Sequence, residues 1–123
     1  MNPKRNGWRK RLIGRWRIAW MDQFGRKDID EEVPAHITLG KGGLGSFQFI
    51  LVSGDICGDF KDDAQMLDFT WIGNDECDEA SGDGWIRLVS ESRAEGEIRF
   101  HKGDTYKFRA VKAKNAGGRK KCG

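Results

Sequence analysis

The segment Leu12-Ile13-Gly14-Arg15-Trp16-Arg17-Ile18-Ala19-Trp20 constrains this chain more than any other. Its period is two: Trp16, Ile18 and Trp20 fall on one side, and Arg15, Arg17 and Ala19 on the other. Side chains alternate across a strand, so the segment predicts a half-buried strand over 12–20 with an aromatic inner face. One strand is not a fold, and its open edges must be paired or covered. The rest of the chain supplies partners of similar length, predicted at about 35–40, 46–53, 55–60, 65–72, 85–89, 95–101 and 105–111. Phe47, Phe49 and Leu51 alternate with Gln48, Ile50 and Val52. Leu67, Phe69 and Trp71 oppose Met66, Asp68, Thr70 and Ile72, and Tyr106, Phe108 and Ala110 oppose Lys107, Arg109 and Val111.

The connections between these runs are short. Lys41-Gly42-Gly43-Leu44-Gly45 is a hairpin turn, because glycine enters positive φ freely. Gly54 and Gly58 predict a bulge or bend in the 55–60 strand, and Lys102-Gly103-Asp104 closes another hairpin. The longest connection is 21–34; it has room for one helical turn, with Phe24 or Ile29 packing down as a lid. Residues 73–84 form an acidic loop. Seventeen glycines and two prolines suit this many turns, and thirteen aromatics can build a core although mean hydropathy is −0.69. The fold class is therefore all-β, a single antiparallel up-and-down barrel of about eight strands. Such a barrel is filled by side chains or holds one small ligand.

Charge divides the chain into three parts. Residues 1–11 hold five basic groups and residues 112–123 another five, with no acid in either; the body at 12–111 carries a net −7. The expected organisation is a basic flexible arm at 1–11, the barrel domain at 12–111 and a basic flexible tail at 112–123. No apolar run approaches the 18 residues of a membrane-spanning helix. The basic N-terminus is not followed by the apolar stretch of a secretory leader. Cys57, Cys77 and Cys122 are odd in number and form no C-x-x-C pair, which fits reduced thiols in a cytoplasm better than disulfides or structural zinc.

Gly14-Arg15-Trp16 on a first strand, followed by a loop and seven more strands, resembles the lipocalin and avidin group of barrels, the calycins. In them the Trp of Gly-x-Trp plugs one end of the barrel and a basic residue of the last strand packs over it; the resemblance implies that Arg109 does so here. The chain also resembles a family of small uncharacterised bacterial proteins. The pieces that match are Gly14-Arg15-Trp16-Arg17-Ile18, Phe47-Gln48-Phe49, Phe69-Thr70-Trp71-Ile72-Gly73-Asn74-Asp75-Glu76, Asp78-Glu79-Ala80-Ser81-Gly82-x-Gly84-Trp85 and His101-Lys102-Gly103-Asp104. That likeness covers about 12–111 and implies the domain limits, without a mechanism.

No complete catalytic or cofactor motif is present, so no catalytic residue and no cofactor is expected. Asp75, Glu76, Asp78 and Glu79 could offer oxygen ligands to a hard cation, but their spacing misses the EF-hand template; a solvated loop is the alternative. Asp68 belongs outside the barrel if Leu67, Phe69 and Trp71 lie inside. His101 and Asp104 could pair across a turn, with no nucleophile to complete a triad. Cys77 lies among four acids that disfavour its thiolate. The expected ligand-contacting residues, at the barrel end or in its lumen, are Trp16, Trp20, Phe49, Trp71, Trp85, Tyr106 and Arg109. The expected function is non-enzymatic binding of a small apolar or aromatic ligand, or of a protein partner, at a mouth rimmed by the 21–34 loop. The alternatives are nucleic-acid association through the basic ends and a metal-dependent enzyme built on residues 74–79. No membrane partner is expected.

Overall fold

Strand β1 (Gly14–Met21) is the seam on which the molecule closes. It pairs antiparallel with β2 (His36–Leu39) along one edge and with β8 (Thr105–Lys112) along the other. Between these lie β3 (Leu44–Phe49), β4 (Val52–Lys61), β5 (Met66–Asp75), β6 (Asp78–Ser90) and β7 (Arg93–Phe100), each paired antiparallel with the next. The result, in this computed structural model, is a closed eight-stranded up-and-down barrel with no free sheet edge. The structure describes residues 3–113, with side chains from Gly7 onward. Most of the expected basic tail, 114–123, lies outside the described residues.

The interior is filled. Trp16, Ile18, Ile37, Leu39, Phe47, Leu67, Phe69, Trp71, Ile86, Ile98 and Phe108 are all buried inside. An eight-stranded barrel is too narrow for an aromatic at every inward position, and the chain solves this with glycine. Phe47 faces Gly54 across the β3–β4 pair, Phe69 faces Gly84 and Trp71 faces Gly82 across β5–β6, and Phe108 faces Gly96 across β7–β8. A Cβ at Gly54 would stand 2.7 Å from Phe47 Cζ, and one at Gly84 2.8 Å from Phe69 Cζ. Each ring therefore lies over the bare backbone of its neighbour.

The expected alternation holds along most strands. Leu67, Phe69 and Trp71 are buried and Asp68 is exposed, as the pattern required. It fails at Trp20. The pairing of β1 with β8 shifts between Ile18 and Trp20, so Ala19 is an extra residue. Such a bulge reverses the faces beyond it: Met21 is buried, and Trp20 turns outward, 40% exposed.

Two further expectations need correction. Residues 1–11 are not simply a mobile arm, because Pro3–Leu12 form a helix, α1. Trp8 and Leu12, one helical turn apart, are both buried against the end of the barrel. Trp8 meets Phe60 edge to face at 5.9 Å and donates its Nε1–H to Asp62 Oδ1 at 3.1 Å. Arg9 makes two hydrogen bonds to the same carboxylate, at 3.1 and 2.9 Å. Residues 73–84 are not a loop either. They belong to the long β5–β6 hairpin, in which Asp75 pairs with Asp78 and only Glu76 and Cys77 turn. Gly73 and Gly82 make this possible, since a Cβ on either would overlap the neighbouring carbonyl of Ser53 or Arg99.

Candidate functional site

The two ends of the barrel differ in chemistry. At the first end, α1 and Trp16 form a plug. Trp16 is fully buried and donates its Nε1–H to Leu12 O at 2.8 Å. The basic group over its ring is Lys112, whose Nζ lies 4.7 Å from the ring centroid and donates to Arg11 O and Ile13 O. Burial pushes the Lys112 ammonium below its ordinary pKa. The expectation that Arg109 would cover Trp16 is corrected by the register of β1 against β8. In the β1–β8 register Arg109 pairs with Trp20 and Lys112 with Trp16.

The opposite end, the mouth, gathers the 22–35 connection and the turns at Ile50–Leu51, Glu76–Cys77 and His101–Asp104. The 22–35 connection contains one short helix, α2 (Arg26–Ile29), as its length allowed. Both proposed lid residues pack down: Ile29 is buried, and Phe24 lies 4.9 Å from Tyr106 and 6.5 Å from Phe49, ring to ring. Phe100 completes the wall, 5.9 Å from Tyr106 and 6.4 Å from Phe49, and rests on Trp71 at 5.1 Å. These four rings, with Ile50, Val52, Asp75, Gly103 and Asp104, line an open hollow of about 370 Å³. That volume falls in the range of small-molecule sites. A larger open groove of about 820 Å³ adjoins it through Asp75, Phe100 and Gly103, and runs between the overhanging β5–β6 hairpin and His101.

The backbone at the mouth is strained. Ile50, a β-branched residue, sits at φ +54, where a branched side chain is a genuine outlier costing about 1–3 kcal/mol. It is held there by its N–H, which donates to Ile29 O at 2.9 Å and so ties the turn to α2. Strain of this kind collects where a site must be shaped.

Electrostatically the mouth is negative. Tyr106 donates its hydroxyl to Asp104 Oδ2 at 3.1 Å. Burial, helped by that bond and by the charges of Asp104, Asp22 and Asp75, pushes the Tyr106 phenol above its ordinary pKa. Asp22 carries a buried Oδ1 with no hydrogen-bond partner. Among the described residues no Lys or Arg lines the aromatic hollow. The carboxylate of Asp104 is bonded to Tyr106, not to the His101 ring as the sequence had allowed.

The seven expected contact residues therefore separate into three groups. Phe49 and Tyr106 belong to the mouth. Trp16 and Trp71 are buried packing groups. Trp20, Trp85 and Arg109 lie on the outer wall, where the Arg109 guanidinium stacks 4.8 Å from the Trp20 ring and Trp85 donates to Glu97 Oε1 at 3.3 Å. They line an outer groove of about 310 Å³ with Glu95, Glu97 and Lys107. The sequence reading did not assign Phe100, Asp104, Ile50 or Val52 to a ligand. Phe100 was legible as an inward strand residue, but its place at the rim depends on where β7 ends.

The acidic candidates do not converge on one point. Asp75 and Asp78 face each other, Glu76 lies in the turn at φ +58, and Glu79 pairs with Asn74, one residue out of phase. Among the described residues no three His, Cys, Asp or Glu side chains are grouped so as to hold a metal ion. Cys57 and Cys77 are exposed free thiols, and no helix among these residues is long and apolar enough to cross a membrane. In comparisons with known proteins, no family model, no curated protein and no solved structure matches this chain.

Proposed function

We propose that this chain is a binding module rather than an enzyme, taking one small ligand with an apolar or aromatic body at the barrel mouth. The observation that carries it is the aromatic hollow of Phe24, Phe49, Phe100 and Tyr106 above a side-chain-filled interior. A ligand has no room beside the buried Trp71 and Phe47, so it lies above them, against Phe49 and Phe100. The strained turn at Ile50 and the lid from the 22–35 connection shape the rim on two sides.

Nucleic-acid association draws less support, because two of the basic groups it would use are engaged within the fold: Arg9 with Asp62 and Lys112 with two carbonyls. A metal-dependent reaction would need ligands that the β5–β6 hairpin sends to different faces. The test is a calorimetric titration with 2-naphthol, a neutral aromatic probe. The wild type binds it; Phe24→Ala and Phe100→Ala each weaken binding by about tenfold, the effect of losing roughly 1.4 kcal/mol of aromatic contact. Trp20→Ala leaves it unchanged. Binding that survives both mouth variants and is lost with Trp20→Ala would overturn the proposal.

A further inference from the structure

We infer that the ligand of the mouth is a small organic cation: an ammonium group attached to a compact apolar body. The inference rests on the mouth being the ligand site and adds the sign of the ligand's charge. Four aromatic rings, Phe24, Phe49, Phe100 and Tyr106, line the hollow beside the carboxylates of Asp75 and Asp104, and among the described residues no Lys or Arg joins them. An aromatic face is negative, so a group of such faces attracts a cation, most strongly one whose methylated surface sheds water easily. An anion would meet the same faces and carboxylates as repulsion.

The carboxylates supply the second half of the argument. Asp104 is oriented by the Tyr106 hydroxyl, so charge and ring are fixed together on one wall. Asp75, at the end of β5, lines the same hollow, and the next residue ties the hairpin down, Glu76 N–H donating to Leu51 O. Asp22, just beyond the end of β1, adds a third negative charge near Tyr106, with one oxygen buried and unbonded. The adjoining groove extends the same field through Asp78 and Glu79, with His101 its one basic residue. A volume of about 370 Å³ falls in the range of sites for small free molecules.

The experiment compares choline with its neutral isostere, 3,3-dimethylbutan-1-ol, which has the same shape without the charge. Binding to the full chain is followed by amide and indole chemical shifts. Choline is expected to bind about tenfold tighter than the alcohol, the scale of a partly desolvated cation–π and carboxylate contact. In the Asp75→Asn/Asp104→Asn double variant, which keeps side-chain shape, the preference falls to within about twofold. Equal binding of choline and the alcohol would overturn the charge assignment while leaving the mouth as a site for neutral ligands. A choline preference that survives the double variant would overturn the role of the carboxylates. A trimethyllysine peptide binding more tightly than choline would overturn the assignment to a free molecule. If neither choline nor 2-naphthol perturbs mouth residues, the ligand site itself is refuted.

Discussion

Replacing Trp16 with Ala tests the plug that closes the first end of the barrel. Trp16 is fully buried, and truncating a buried large aromatic costs about 3–5 kcal/mol in lost transfer energy and residual cavity. Two local features push this case to the upper part of that range. Its Nε1–H is the donor to Leu12 O, a buried bond of 2.8 Å, and a buried acceptor left unpaired costs about 1–3 kcal/mol. Lys112 would also lose the ring face beneath its ammonium, worth about 0.5–2 kcal/mol. A loss of about 4 kcal/mol is a large share of the 5–15 kcal/mol that stabilises a typical domain. The assay is urea denaturation followed by circular dichroism; with a slope of about 2 kcal/mol/M, the midpoint should fall by about 2 M. Trp16→Phe, which keeps a ring and loses the donor, should fall by about half as much. Lys112→Met combined with Trp16→Ala should cost less than the sum of the two, because the partners touch. A midpoint shift below about 0.5 M for Trp16→Ala would refute the plug.

Three further outcomes follow from the packing. Trp8→Ala should destabilise the barrel by about 3 kcal/mol, because α1 is docked through that ring; an unchanged melting temperature would show that the helix contributes nothing. Gly84→Ala should cost about 1–3 kcal/mol by overpacking against Phe69 and the Glu97 carbonyl, whereas the exposed Gly42→Ala, with open space around it, should cost far less. Tyr106 should make the protein sensitive to alkali. Its folded pKa lies above the unfolded value near 10.0, so the neutral phenol is favoured in the folded state. Its contribution is intact below about pH 10 and is lost as pH rises through the folded pKa. Denaturation midpoints at pH 9 and pH 11 should therefore differ less in Tyr106→Phe than in the wild type.

The barrel was legible because its strands carry a period of two and its turns carry glycine, both local signals. Trp16, Ile18, Phe47, Phe49, Leu67, Phe69 and Trp71 all fall on the buried face that their spacing assigns. What stayed hidden depends on how strands meet. The bulge at Ala19 leaves no mark in composition, yet it expels Trp20, and the β1–β8 register, equally silent in the sequence, sets Lys112 rather than Arg109 over Trp16. The ends of β5 and β6 read as an acidic loop because Asn74, Asp75, Asp78 and Glu79 are poor strand formers. There the backbone ladder and the inward glycines decide the structure. Helix α1 offered only Trp8 and Leu12 at a spacing of four amid basic residues, a periodic signal too short to stand out. Of the mouth, the lid residue Phe24 and the walls Phe49 and Tyr106 were named from the sequence. Phe100 and Asp104 enter the site only because β7 ends beside the overhanging hairpin.

The central claim, a filled barrel that binds at its mouth, is tested most directly by mapping 2-naphthol onto the backbone amides and tryptophan indoles by nuclear magnetic resonance. The largest shifts should fall on residues 22–25, 49–52 and 100–106, which build the mouth. The indole of Trp71 beneath Phe100 should move less, and those of Trp8 and Trp16 at the plugged end should stay fixed. Shifts concentrated on the outer-wall indoles of Trp20 and Trp85, with the mouth amides unmoved, would contradict the account.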